Sequence, residues 1–507
     1  MNRRFLAVLL AALFLMAIFA SCGKTENTGG PTGGNNPVSP GTGGDNQYKY
    51  IDENGKELWK IQVEPFDWGG REFVILVRDE GGTNVYNDMD FTYSEAKEGE
   101  PVNDAAFRRI LEIEEMFGVK IKTVGGRAAG YDPTRTALLR ASILSDDKAY
   151  DITMNCPRNN GVLSQEGAFY NLTEFPNIDL SEPWWDKNWV DNATIAGKIY
   201  QAAGDLSLAY KHTAAVIFFN KQMITDLGLP SPYNLVAENK WTIDQVIEMS
   251  KAVWENYNPE GLATNVMNVI GVGGYNATLS QALSGCGIFI IEKDKDDIPV
   301  PAFYSERMLS AFEKVTDLLF ERNLFYNYQL GYASARGGVT KFQNNELLFF
   351  WNEMYHVLAL RQMDTDFGIL PSPKYNSDQP RYYQQINMQE SMVLAIPKYS
   401  NPGDLANIGA IVSAMAVMGK NYMTPAYYDV TLKGKVTRDE ESEAMLDLIY
   451  DSILIDNGRM YDTGGISNGL NDVSIAQNRD IASWFAARET VLQTAIDKMV
   501  DSYLSLD

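Results

Sequence analysis

Between Glu72 and Met154, short apolar runs alternate with amphipathic stretches, and that order constrains the fold more than any other feature of the chain. Glu72-Phe-Val-Ile-Leu-Val77, bounded by Gly70 and Asp79, reads as a strand buried on both faces. Ala106, Phe107, Ile110, Leu111 and Phe117 then recur at helical spacing, with Asn103 or Asp104 as cap and Gly118 as stop. Val119 to Val124 alternates as a strand does, Asp132-Pro133 opens a helix through Leu138, Ala141 and Leu144, and Asp151 to Met154 is a third strand. This order implies a parallel sheet with helices on both faces, whose ligands bind outside the carboxyl ends of the strands.

A second series starts near Ala214. Ala215 to Phe219 is a strand, Thr242 with Gln245 caps a helix through Val246, Ile247 and Val253, and Ser305 opens another with Met308, Leu309, Phe312, Val315 and Leu319 on one face. Leu347 to Trp351, Phe367 to Leu370 and Met392 to Ile396 are further apolar runs, followed by a helix expected over 402–418. A chain of 507 residues, 45% apolar, holds enough for two cores, so the expected class is α/β in two units.

Arg3 and Arg4 followed by an apolar run from Phe5 to Ala20 read as a secretory signal over 1–22, too short for a comfortable membrane span. Ala20-Ser21-Cys22-Gly23 resembles a bacterial lipobox, with Phe19 where Leu is commonest, so Cys22 is the expected lipidation site and ordinary cleavage the alternative. Residues 23–47, mostly Gly, Thr, Asn and Pro, bury too little to order and read as a flexible linker. The expected location is therefore the extracellular face of the cell membrane, held by the lipid on Cys22. A net charge of −23 disfavours nucleic acid and direct adhesion to anionic lipid, and points to a small-molecule partner. Besides Cys22 only Cys156 and Cys286 remain, without Cys-x-x-Cys spacing; they read as buried thiols, with a mutual bridge as the alternative. With His212 and His356 as the only histidines, a histidine-based metal site is poorly supported, and no cofactor is expected.

Four segments carry a resemblance. Gly197-Lys-Ile-Tyr-Gln-Ala-Ala-Gly204 running on to Val216-Ile-Phe-Phe-Asn-Lys221, Lys341 to Trp351 (with Asn345 in place of a glycine), Phe367-Gly-Ile-Leu-Pro-Ser-Pro-Lys374 and Ala395-Ile-Pro-Lys-Tyr-Ser-Asn401 resemble, in order, passages of the bacterial extracellular solute-binding proteins of family 1. Thr424 to Val430, Leu432 to Lys435 and Thr437 to Ser442 are similar to large family members from anaerobic Gram-positive gut bacteria. The resemblance implies a type II periplasmic-binding-protein-like Venus flytrap: two α/β lobes joined by a hinge with three crossings, a monomer that closes on a solute and delivers it to ABC permease subunits. It places the crossings near Tyr210 to Ala215, Phe349 to Trp351 and Glu390 to Val393. The N-terminal lobe is then 60–210 plus 351–390, and the C-terminal lobe 211–350 plus 391–507.

A carbohydrate ligand needs aromatic plates and hydrogen-bonding partners. Asn155, Arg158 and Asn160 follow the third strand, where a parallel sheet opens to ligand, although a self-bonded turn explains them equally well. Lys211 and His212 fall at the first crossing, Trp351 and Asn352 with Glu353 at the second, and Glu390 and Ser391 at the third. Tyr275 and Asn276 follow Gly271-Val-Gly-Gly274 and face the cleft from the second lobe in this reading. Trp184, Trp185 and Trp189 read as packing residues, and His356 as a core histidine. The Gly-x-Ser-x-Gly spacing at Gly465 to Gly469 lacks a leading strand and a later histidine, so a glycine-rich loop is the reading there. The expected protein is no enzyme; a secreted glycosidase using two of the 66 Asp and Glu residues, or a polysaccharide-adhesion lipoprotein, are the alternatives.

Overall fold

The structure is a computed structural model and describes residues 48–79, 90–127, 133–261, 268–331, 336–361, 363–432 and 440–506. The expected leader (1–22, with Cys22) and the expected linker (23–47) lie outside the described residues, as does Asp132. In chain order, β1 (Arg71–Asp79), α1 (Pro101–Phe117), β2 (Val119–Arg127), α2 (Pro133–Ser145), β3 (Ile152–Asn155) and α3 (Pro157–Gln165) form the first series. The second holds β4 (Ala215–Asn220), α4 (Ile243–Tyr257), β5 (Ile270–Gly274), α5 (Thr278–Gly285), α6 (Glu306–Leu319), β6 (Phe325–Asn327), β7 (Leu347–Glu353) and β8 (Phe367–Leu370). The rest of the chain supplies β9 (Val393–Ala395), α7 (Leu405–Met418), α8 (Thr424–Leu432), α9 (Glu440–Asp451), α10 (Asn457–Met460), α11 (Ile466–Ala476) and α12 (Glu489–Ser505).

Two sheets result. The first has the order β9-β3-β1-β2, with β2, β1 and β3 parallel and β9 antiparallel to β3. The second has the order β6-β5-β7-β4-β8; β6, β5 and β7 run parallel, and β4 runs against both of its neighbours.

This pairing corrects the expected lobes. All seven residues of β7 are buried, which suits a strand between β5 and β4 and not a hinge at Phe349 to Trp351. β8, inside the 351–390 stretch assigned to the first lobe, pairs with β4 through Phe367↔Asn220 and Leu370↔Ile217 in the second sheet. The stretch after 391 was assigned to the second lobe, yet β9 joins the first sheet at Val393↔Asn155, and α7 and α8 pack on α1. The chain leaves the first sheet near 209–214, returns over 386–392, and is beside the second again by α9, which packs on β8. Where these passages meet, Ala214 and Ile386 form a bridge, Asn387 N–H donates to Thr213 O (3.1 Å), and Met354 N–H to Ala214 O (2.9 Å).

Local chemistry explains most boundaries. Thr242 accepts the Gln245 N–H (3.4 Å) and Ser305 the Met308 N–H (3.1 Å), so both expected caps form. Asn103 and Asp104 do not cap α1: Pro101, with its fixed φ, starts the helix two residues earlier, and Asp104 accepts the N–H of Gly99 (3.1 Å) instead. Gly118 closes α1 in the left-handed region at φ 56°.

Trp184, Trp185 and Trp189 are buried in the core that contains β1 and β9, and Cys156 and Cys286 are buried thiols that form no disulfide. Among the described residues no helix is long and apolar enough to cross a membrane, and no cluster of His, Cys, Asp and Glu is placed to hold a metal ion.

Candidate functional site

Three parallel strands of the second sheet end side by side, and the residues at their carboxyl ends share one space. β5 runs into Tyr275 and Asn276, β6 into Tyr328 and Gln329, and β7 ends in Asn352 and Glu353. The Tyr275 and Tyr328 rings stack 5.9 Å apart at 17°. From the first sheet, α3 brings Arg158, and the passage leading to β9 brings Asn387 to Glu390. α10 and α11 add Arg459, Ser467 and Asn468. Together they wall a cavity of about 500 Å³, in the range of pockets that enclose small ligands.

Glu353 is a buried carboxyl group that lines the cavity. Its Oε1 accepts from the Tyr275 hydroxyl, from Gln281 Nε2 (3.3 Å) and from Asn387 Nδ2 (3.4 Å). Burial pushes its pKa up to about 7; those hydrogen bonds oppose the shift, and the Glu390 charge adds to it. Burial and the Glu353 charge drive the Tyr275 phenol well above its ordinary value. Asn352 donates to Tyr328 Oη (2.8 Å) and accepts the Glu353 N–H (3.0 Å), fixing both rings and carboxylate on the sheet.

Arg158, Tyr275, Asn352 and Glu390 are brought together at this cavity. Six other expected residues stand elsewhere. Asn155 turns its Oδ1 onto Arg135 Nε (3.2 Å) and Cys156 N (2.9 Å), holding its own turn. Asn160, fully buried one helical turn into α3, donates to Val393 O (3.3 Å). Lys211 pairs with Asp205 (2.8 Å). His212 is buried against the Tyr427 ring, and burial with the nearby Arg361 charge lowers it to about 3. Trp351 points into the second core, because alternation along β7 puts Asn352 toward the cavity end. Ser391 is buried, its N–H bonded to Asn387 O (3.0 Å). His356 lies buried against Phe350.

Gly465 to Gly469 is not a loop throughout: Gly465 caps α11 and Ser467 is in its first turn, lining the cavity. Sequence reasoning missed Tyr328, Gln385, Asn387, Arg459 and Asn468. For Tyr328 the signal was present, since Phe325-Tyr-Asn327 is a short apolar run followed by polar residues. Asn468 lies in the first turn of α11, on a helix whose apolar spacing does not mark its polar face as a site, and Gln385, Asn387 and Arg459 lie in segments too short for periodicity, so only tertiary pairing brings them here.

No protein-family model matches the chain, and neither does any curated protein. Solved structures do match in fold. An ABC substrate-binding protein from Listeria monocytogenes in complex with cycloalternan is 12% identical, with 86% of this chain and 100% of that one covered and a TM-score of 0.51. UgpB from Mycobacterium tuberculosis in complex with glycerophosphocholine is 16% identical over 78% and 95%, with a TM-score of 0.55. The cyclic alpha-maltosyl-1,6-maltose binding protein from Arthrobacter globiformis is 13% identical over 84% and 99%, also at 0.55. The chain thus has the fold of the type II periplasmic binding proteins, two α/β units built on separate sheets, with its cavity among the carboxyl ends of their strands.

Proposed function

We propose that this protein is the lipid-anchored, extracellular solute-binding component of an ABC importer, a family 1 receptor that takes up a carbohydrate between its lobes and hands it unchanged to permease subunits. The observation that carries the reading is the cavity itself: stacked Tyr275 and Tyr328, ringed by amides, a carboxylate and guanidinium groups, at the carboxyl ends of β5, β6 and β7. Aromatic faces suit sugar C–H surfaces, and side-chain amides suit hydroxyl rims. Because Arg158 and Glu390 come from the first sheet's side and Tyr275 from the second's, a ligand touching both favours the closed arrangement. The anchor on Cys22, the monomeric state and the permease as partner belong to the same proposal.

A thermal-shift screen against an oligosaccharide panel tests it: a receptor gains about RT ln(1 + [L]/Kd) and leaves the sugar intact. A second reading, glycoside hydrolysis, draws on Glu353, whose pKa of about 7 is that of a general acid, together with Glu390 on the same cavity. Chromatography of the bound sugar separates the two, since a shortened product would mean hydrolysis.

A further inference from the structure

Three side-chain amides of the cavity share one hydrogen-bond polarity. Asn276, Gln329 and Gln385 all line it, and in each the amide oxygen is already taken by a protein donor. Gln329 Oε1 accepts the backbone N–H of Asn276 (3.2 Å), a group that can only donate. Asn276 Oδ1 accepts Asn327 Nδ2 (3.0 Å), and the orientation of Asn327 is set by the Gln329 N–H on its own Oδ1 (3.0 Å). Gln385 Oε1 accepts the hydroxyls of Ser280 (2.9 Å) and Ser284 (3.0 Å), and the Ser280 oxygen in turn receives a guanidinium N–H from Arg459, so one donor chain runs from Arg459 through Ser280 to Gln385. Each of the three amides therefore keeps two N–H protons for an occupant.

Two guanidinium groups join them. Arg459 is 2% exposed, and its Asp456 partner stands off at 3.5 Å, with that carboxylate already accepting the N–H groups of Ile290 (2.7 Å) and Gly458 (2.8 Å). Arg158 holds Asp462 at only 3.6 Å. A buried cation with so loose a counterion is costly unless an anion completes it. Neutral hydroxyls donate as well as accept; against the acceptors Glu353, Glu390 and Asn471 Oδ1, this cavity sets three amides and two guanidinium groups that present only N–H donors.

We propose that the occupant is an acidic saccharide whose carboxylate and ring oxygens accept from Asn276, Gln329, Gln385 and the Arg459 guanidinium, an inference that rests on the carbohydrate-receptor reading. The carboxylate is charge-assisted by Arg459, while Glu390 sets the limit on how many acidic groups the cavity accepts.

Calorimetry on the full-length protein tests this with galacturonate, mannuronate and glucuronate oligosaccharides, each beside its carboxyl-reduced neutral twin, together with sulfated galactan oligosaccharides and maltotetraose. The expected result is at least tenfold tighter binding of a uronate than of its twin. That preference should disappear in Gln385→Glu and in the exposed Gln329→Glu, with the melting temperature of the latter unchanged. Equal or tighter binding of neutral sugars overturns the acidic ligand and leaves the receptor reading standing. Preference for the sulfated sugars overturns the carboxylate, and a preference that survives both variants overturns the role of the amides. If no saccharide binds in either arm, the receptor reading falls and this inference with it.

Discussion

Glu353 makes stability depend on pH in a direction that surface carboxylates do not. Its folded pKa of about 7 lies above the ordinary 4.5, so as pH rises the unfolded chain loses this proton first. Between those values the native state binds more protons, and the residue's contribution to stability falls by roughly 3 kcal/mol in total. Above pH 7 the loss is complete, and below 4.5 it is absent. Glu353→Gln keeps an acceptor for Tyr275 and removes the titration; Glu390 is the other carboxylate that faces it. Urea unfolding at pH 5 and pH 8 should show the variant gaining on the wild type at the higher pH by a few kcal/mol, and equal differences at both would remove Glu353 as the cause. The two histidines act oppositely: both are lowered to about 3 by burial, so they cost stability as pH drops below 6.5, in both proteins alike. Trp351 belongs to the same scale. It is fully buried in the second core, so Trp351→Ala should cost about 3–5 kcal/mol in urea unfolding while leaving the dissociation constant of a bound sugar near its starting value.

At the scale of elements, α1 shows how a boundary is built. Gly118 sits at φ 56°, and a Cβ there would strike the Asp67 carboxylate and approach Trp68 N at 3.0 Å. Gly118→Val should therefore lower stability by more than about 1 kcal/mol, and a melting temperature within a degree of wild type would contradict this account. This glycine was legible in the sequence because a helical period stops just before it. Strands β1 to β3 were legible for the same reason, since their apolar runs are bounded by Gly and Asp. The start of α1 was not, because Asn103 and Asp104 both offer a cap and Pro101 starts the helix ahead of them. Neither was the pairing of β8 with β4, which joins residues about 150 positions apart and leaves no local trace. The site was half legible: Tyr275 and Asn352 follow recognisable strands, whereas Arg459 on the four-residue α10 and Gln385 in a two-residue strand lie in elements too short to leave a periodic pattern and are placed by hydrogen bonds to Ser280. Asn155 and Asn160 misled because short polar side chains after a strand bond their own turn as readily as a ligand.

For the whole molecule, the proposed receptor function requires that the two sides of the cavity stay joined when no sugar is bound. Two kinds of tie cross between the first sheet's elements and those of the second. At the cavity, Arg158 on α3 donates to Asn468 Oδ1 on α11 (3.0 Å), and Gln389 Nε2 reaches the same oxygen (3.5 Å). Away from the cavity, Lys198 donates to Tyr503 O on α12 (3.0 Å), and the Tyr200 and Tyr503 rings meet at 5.1 Å. The second tie is built on buried aromatic surface and needs no ligand, while the first is polar and open to exchange with water. Opening should therefore separate Arg158 from Asn468 before it disturbs α12. Arg158→Ala should raise the radius of gyration of the ligand-free protein in small-angle scattering and weaken sugar binding about fivefold to twentyfold, with compaction restored at saturating sugar. Lys198→Ala should lower thermal stability without changing that radius. If Arg158→Ala scatters as the wild type does, the polar link does not set the resting angle, and the aromatic tie at Tyr503 holds the lobes by itself.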